Sequence, residues 1–350
     1  MKEIKIGNYT IGPNNPPFII AEMSGNHNQS LERAMQLVEA AAHSGVHALK
    51  LQTSTPDGLT LSVDSPDFII DDPASPWNGR HLFELYKEAT TPWEWHKPIF
   101  DRCADLGLIV FSSPFELAAV DFLEELDAPC YKIASFELVD IPLIRKVAAT
   151  GKPLIMSTGM ASVTDIQDAI NAAKSVGNEN IILLKCTSSY PATAADANLA
   201  TIPHLRDMFG LQVGLSDHTL GIGVACAAAA LGATVIEKHF TLDRNDGGVD
   251  SSFSLEPSEF KLLVDETERA WSSMGSIVYG GAAVEKKSLK FRRSLYIAKD
   301  LNKGDTLTTD SLRIVRPGYG LAPKEIDILL GMKVNQAISA GTAMKWDYVG

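Results

Sequence analysis

The sequence predicts an α/β protein, a (β/α)8 TIM barrel followed by a small β-rich domain. Three observations predict it. Eight short apolar runs alternate with amphipathic, helix-like stretches over roughly 250 residues, the outline of a barrel. Each run ends in polar or ionisable side chains. After residue 273 the alternation gives way to glycine-rich and then turn-rich sequence. An open doubly wound sheet is the alternative for the first observation. The second favours the barrel, because strands of a barrel end together at one mouth, where eight polar ends become one polar pocket.

In order, the runs are FIIAEM (18–23), HALKLQT (47–53), GLIVFSSP (107–114), CYKIAS (130–135), PLIMST (153–158), IILLKCT (181–187), QVGLSDH (212–218) and TVIEKHF (234–240). Stretches such as SLERAMQLVEAAAHSG (30–45) and SVTDIQDAINAAKSVG (162–177) start with Ser and end with Gly, which suits helix caps. Residues 54–92, rich in Pro, Asp and Trp, are longer than a strand-to-helix connection requires and are expected to form a wall or lid over the mouth. The domain reading is a catalytic barrel over 1–273, a glycine-containing basic linker over 274–290, and a β-rich domain over 291–350.

Composition narrows the function. Of 350 residues, 31 are Lys or Arg and 43 are Asp or Glu, a formal charge of −12 and the wrong sign for binding nucleic acid or an anionic membrane. Cys103, Cys130, Cys186 and Cys226 form no CxxC pair and read as reduced core residues. The N-terminus lacks the apolar core of a signal peptide, and the small-apolar stretch Val224–Leu231 is too short to cross a bilayer. A soluble, cytoplasmic protein is expected.

The strand ends carry the chemistry. A strand alternates faces with period two, so Lys50 and Gln52 point together, as do Glu237 and His239, while Lys238 faces the helix layer. His218 and His239 end neighbouring strands. They suit Mn2+, Mg2+ or Zn2+ with open positions for substrate oxygens, or else form a hydrogen-bonded structural cap. Lys50 and Lys132, converging with Ser135, Ser157 and Ser216, read as a site for a small phosphorylated carboxylate, with a Schiff-base lysine as the other chemistry. Glu22 is either neutralised by a lysine or held for proton transfer. Arg316, in the Pro-Gly turn VRPGYG, reads from spacing alone as a solvated arginine. Phe111, Phe122 and Met156 are assigned to packing.

Taken together, FIIAEMSGNHN, ALKLQT, FSSPFE, YKIAS, STGM, GLSDHT, IEKHF and the tail motif RPGYG resemble, in order, the sialic acid synthase family over essentially the whole chain. DFII, the W…R.LFELY stretch and TPWEWH resemble its pseudaminic acid branch more than the N-acetylneuraminate or legionaminate branches, which are the alternatives. The resemblance implies a C-terminal antifreeze-like (SAF) domain, a domain-swapped homodimer and a divalent metal cofactor (Mn2+, Mg2+ or Co2+). It implies condensation of phosphoenolpyruvate, a 2,4-diacetamido-2,4,6-trideoxy-L-altrose and water to pseudaminic acid and phosphate. By the same resemblance His218 and His239 bind the metal, and Lys50, Lys132, Ser135 and Ser216 face phosphoenolpyruvate. Gln52, Ser113, Tyr190 and Asp250 line the substrates, Glu22 and Glu237 are the acid–base groups, and Arg316 reaches across from the partner. Ser188 stands where the family commonly carries Asn, so its phosphate-side contact is expected to be shorter or water-mediated. A carbohydrate- or ice-binding protein working through its tail is the reading from a different class, and the full set of polar strand ends speaks against it.

Overall fold

Apolar residues at consecutive positions of the eight runs give each strand two faces to bury, which a sheet closed on itself and wrapped by helices provides. The computed structural model describes residues 1–73, 75 and 77–350, so Ala74 and Pro76 of the 54–92 wall lie outside the described residues. It opens with an antiparallel hairpin, β1 (Ile4–Ile6) and β2 (Tyr9–Ile11). Eight parallel strands follow: β3 (Phe18–Glu22), β4 (Ala48–Thr53), β5 (Ile109–Pro114), β6 (Tyr131–Ile133), β7 (Leu154–Ser157), β8 (Ile181–Cys186), β9 (Gln212–Asp217) and β10 (Val235–His239). They close into one barrel, β10 pairing with β3. All eight lie within the runs read from sequence.

Period two sorts the residues as expected. Ile19, Ala21, Leu49, Leu51, Val110, Tyr131, Ile133, Met156, Leu183, Leu215 and Ile236 point outward and pack with the helices in one large core. Phe18, Ile20, Ala48, Phe111, Cys130, Ile155, Ile182, Leu184 and Val235 point inward and form a second core. The hairpin, which the sequence reading did not anticipate, adds Ile4, Ile6 and Ile11 to this inner core and closes the amino-terminal end of the barrel. Each such buried side chain contributes about 1.5–3 kcal/mol. Gly214 in β9 is forced, because a Cβ there would strike the Val235 carbonyl and the Leu184 side chain.

Helices begin where capping residues dictate. Ser30 accepts from the Arg33 N–H at 3.2 Å at the start of helix Leu31–His43, and Ser162 and Asp165 form a capping box at the start of Val163–Ser175. Helix Pro257–Met274 is the last of the barrel. The 54–92 insertion holds two short helices, Pro56–Leu59 and Leu82–Ala89.

The chain divides into two compact units, Met1–Gly275 and Ser276–Gly350. The second begins in the stretch read as linker, but Ala283–Phe291 forms a 3-10 helix, its start held by the Glu285 carboxylate accepting the Ala282 N–H at 2.6 Å. Strands β11 (Ser294–Ile297) and β12 (Leu312–Val315) then pair antiparallel over a small core that includes Leu295, Ile297, Leu312, Leu329, Val334 and Met344.

Candidate active site

The barrel registers bring the polar strand ends level: His239 pairs with Glu22, Glu22 with Lys50, Gln52 with Ser113, and Glu237 with Ser216. Above the inner core these side chains line a cavity of about 670 Å3. Its lining contains Glu22, Lys50, Gln52, Lys132, Ser135, Ser157, Ser188, Tyr190, Ser216, His218, Glu237, His239 and Asp250, so all but two of the residues singled out from sequence meet there. Ser113 is buried beside Lys50, its hydroxyl 3.4 Å from Lys50 Nζ, but does not line the cavity. Arg316 belongs to the second unit, where it is exposed after β12.

At the floor, two lysines face two carboxylates. Lys50 is ion-paired with Glu22, and Glu237 Oε1 lies 4.0 Å from Lys50 Nζ and 3.7 Å from Lys132 Nζ. Gln52 donates to Glu22 Oε1 at 3.0 Å, and the Ser216 hydroxyl to Glu237 Oε1 at 3.1 Å. The two carboxylates differ. Burial pushes Glu22 up to about 7, against Lys50 and with the help of Glu237. For Glu237, burial also pushes up, but Lys132, Lys50 and the Ser216 hydroxyl together hold it below the ordinary carboxylate value. Burial pulls Lys132 down, while the carboxylates keep Lys50 above its ordinary value despite burial. Beside this floor, Gly159 donates its N–H to Ser135 Oγ at 3.3 Å, and a Cβ at Gly159 would fill the space between the Ser135 and Ser188 hydroxyls. Two ammonium groups, serine hydroxyls and this cleared space make a cradle for a small polyanion.

His218 and His239 stand with ring centroids 5.3 Å apart. The Thr187 carbonyl accepts from His218 Nδ1 at 3.0 Å, which favours the tautomer whose other ring nitrogen can serve as a ligand. Burial pulls this histidine down, but Cys186 and the Thr187 carbonyl together raise it above its ordinary value. His239 Nδ1 has no hydrogen-bond partner, and Asp250 Oδ2 is 3.5 Å from it. Burial, with the neighbouring cations, depresses His239 well below the ordinary histidine value, leaving the neutral imidazole that metals bind. No set of three His, Cys, Asp or Glu groups converges among the described residues. With His239 Nδ1 unpartnered, the pair offers two imidazole ligands, and a divalent cation there would need its remaining ligands from substrate or water.

Lys238, expected to face away, does so: its ammonium is buried behind the barrel wall on Asp217 Oδ2 at 2.7 Å and the Thr219 carbonyl at 2.6 Å. Cys186, read as a core residue, lines the cavity instead, because it ends β8 on the inward face in register with Ser216. Two groups escaped the sequence reading. Ser24 donates its hydroxyl to Asp250 and ties the loop after β3 to the loop after β10. Glu137, in the 3-10 turn Phe136–Val139, lines the cavity with Oε2 unpartnered, and burial raises its pKa. Its signal was position: it lies two residues after Ser135 in the loop that leaves β6, at the end of the barrel where active sites are built.

Among known proteins, the NeuB family profile matches residues 37–279 and the SAF domain profile residues 292–349. The chain belongs to the NeuB family. As a NeuB-family protein it is an enzyme, a C–C bond-forming transferase. It is 44% identical to the pseudaminic acid synthase of Campylobacter jejuni (strain 81-176), over 98% of each chain. It is 37% identical to the N,N'-diacetyllegionaminic acid synthase of Legionella pneumophila, over 95% of this chain and 94% of that one. The crystal structure of the N-acetylneuraminic acid synthetase of Leptospira borgpetersenii in complex with citrate superposes with a TM-score of 0.73 at 33% identity, covering 82% of this chain and 95% of that one.

Proposed function

We propose that the chain is a pseudaminic acid synthase. It joins phosphoenolpyruvate, the open-chain aldehyde of 2,4-diacetamido-2,4,6-trideoxy-L-altrose and water into pseudaminic acid and phosphate. One observation carries this reading. Of seven buried side-chain atoms without a hydrogen-bond partner among the described residues, five belong to Glu22, Glu137, Ser157, Glu237 and His239, which all line one cavity; the Glu22 oxygen sits in the ion pair with Lys50, which leaves the atoms of the other four unmatched. Leaving such a group unpaired costs about 1–3 kcal/mol, a cost that persists where a ligand completes the bonds. Greater identity to the pseudaminic than to the legionaminic acid synthase supports the choice of sugar.

Lys50 and Lys132 bind the phosphate and carboxylate of phosphoenolpyruvate, with Ser135, Ser157, Ser188 and Ser216 completing the cradle. Gln52, Tyr190 and Asp250 orient the sugar. His218 and His239 would hold a divalent cation, which when bound would supply Lewis-acid polarisation of the aldehyde oxygen. As C3 of phosphoenolpyruvate attacks the aldehyde carbon, Glu22 delivers a proton to that oxygen. An arriving anion draws Lys50 away from Glu22, which favours the protonated acid needed for this step. Water then adds to the electron-poor C2 and gives its proton to Glu237, whose depressed pKa keeps it ionised. Phosphate leaves with cleavage of its C–O bond. Environments that push two carboxylates apart in pKa suit this division into acid and base.

Residues 1–273 form the catalytic barrel in this proposal, with 274–290 as connector and 291–350 as the SAF domain. The working unit is a domain-swapped homodimer in the cytoplasm, where Arg316 of one copy reaches the site of the other. Ile277, Tyr279 and Val284, exposed by 90%, 92% and 82%, support an interface along the connector. Mixing Arg316→Ala subunits with Lys132→Ala subunits then restores part of the activity; mixed dimers no better than the parents would refute the swap. For the function itself, phosphate release is compared with phosphoenolpyruvate plus either the altro sugar or N-acetylmannosamine. Preference for the altro sugar is expected, and preference for N-acetylmannosamine would move the assignment to another synthase of the family.

A further inference from the structure

The 54–92 insertion does more than cover the mouth. It supplies Leu59, Ile70, Trp77, Leu82 and Tyr86 to the lining, with Asp72, Ser75 and Thr90 among them, so the charged floor is faced by a wall whose largest surfaces are aromatic and aliphatic. Trp77 anchors that wall. Its indole N–H donates to the Val249 carbonyl at 3.3 Å, fastening the insertion to the loop that carries Asp250. Its ring lies 5.9 Å from that of Tyr190, which in turn lies 4.5 Å from His218 and 5.5 Å from Phe253. Trp77 and Tyr190 thus form a continuous aromatic surface that starts beside the two histidines and runs up the wall, with buried Phe253 behind it.

The position of this surface limits what it can accept. The reacting carbonyl end of a sugar belongs at the floor, with the histidines, lysines and carboxylates. The remainder of the chain must extend along the aromatic wall. A hydroxyl held against the ring faces of Trp77 and Tyr190 would lose water without gaining a partner from them, whereas a methyl group would bury apolar area there. A site of this shape selects sugars that carry acetamido methyls and a deoxy terminus over fully hydroxylated ones.

We infer that Trp77, with Tyr190, forms the subsite for the acetamido and terminal methyl groups of the sugar, and that Trp77 determines specificity for them. The inference rests on the proposed synthase activity and deepens it. Removing the ring weakens selection for the methyl-bearing sugar without disturbing the anion cradle.

The test measures kcat/KM with phosphoenolpyruvate plus 2,4-diacetamido-2,4,6-trideoxy-L-altrose, and again with N-acetylmannosamine, for the wild type, Trp77→Ala and Trp77→Phe. Trp77→Ala is expected to lower the ratio of the two values by roughly ten- to a hundredfold, the range for lost contact with one apolar group. The change should fall on KM for the sugar, with KM for phosphoenolpyruvate unchanged. Trp77→Phe loses the bond to Val249 but keeps a ring, and is expected to retain most of the selectivity. An unchanged ratio in a folded Trp77→Ala protein would overturn the inference, as would equal loss in Trp77→Phe, since the bond and not the ring would then matter. Ligand-observed saturation-transfer NMR with the diacetamido sugar separates this from failure of the activity. Methyl signals dominated by transfer from the protein in the wild type and lost in Trp77→Ala support the subsite even if no phosphate is released; methyl signals no stronger than those of the ring protons contradict it even if phosphate is.

Discussion

The two halves of the barrel interior are built from the same eight strands and treat burial in opposite ways. In the lower half Phe18, Ile20, Ala48, Phe111, Ile155, Ile182 and Val235 stack over the hairpin residues Ile4, Ile6 and Ile11. Further along the same inward faces stand Glu22, Lys50, Lys132, Ser157, Glu237 and His239, several with atoms left unpartnered. Gln212 is the exception below, with one orphaned oxygen. The chain is able to satisfy a buried charge: Lys238, one position from Glu237, has both Asp217 and Thr219. The lower half therefore holds the barrel together, and the upper half keeps bonding capacity free for ligands at a cost in stability.

Substitutions in the two halves should separate activity from stability. His239→Ala is expected to lower turnover by at least on the order of 10^2- to 10^3-fold, the loss seen when one polarising contact is removed, with melting temperature nearly unchanged. Activity retained by metal-stripped enzyme would remove the role assigned to the histidine pair. Lys132→Met should weaken phosphoenolpyruvate binding by a similar factor. It removes the nearer cation from Glu237 but leaves Lys50 and the Ser216 hydroxyl, so a smaller loss of stability than for Lys238→Met is expected, and a fall in melting temperature as large as for Lys238→Met would contradict this. Below, Phe111→Ala should cost about 3–5 kcal/mol in urea unfolding while KM values in the folded enzyme stay put. On the outer face, Lys238→Met strands Asp217 and should cost a comparable amount, about 3–5 kcal/mol, since it breaks a buried pair from one side.

The smallest effect concerns Glu22. Its pKa in the folded chain, about 7, lies above the ordinary 4.5, so the folded state binds more protons than the unfolded state between those values. Its contribution to stability is present in full below pH 4.5 and is lost as pH rises through about 7. Urea unfolding at pH 5 and pH 8 should therefore show a smaller decline for Glu22→Gln than for wild type. Equal declines would mean that Glu22 is not the raised group.

Much of this contrast was legible in the sequence because strand periodicity is strict. An apolar run that ends in Glu22, in Lys50 and Gln52, or in Glu237 and His239 declares both its inward face and its upper end. What escaped notice lies where periodicity stops. Glu137 is in a 3-10 turn and reads locally as a solvated carboxylate. The hairpin strands are three residues each, too short for a pattern. Cys186 looks like any small core residue until the register with Ser216 places it at the cavity. The wall was legible as a long insertion, but only three-dimensional packing sets Trp77 beside Tyr190.

The most direct test of the account is the fate of the bridging oxygen when the wild-type enzyme turns over phosphoenolpyruvate labelled with 18O between C2 and phosphorus, together with the diacetamido-trideoxy-L-altrose. If the upper cavity gathers both substrates as described, phosphate is released only when the sugar is present and carries the label. Release without sugar, or label left in the carbon product, would contradict it.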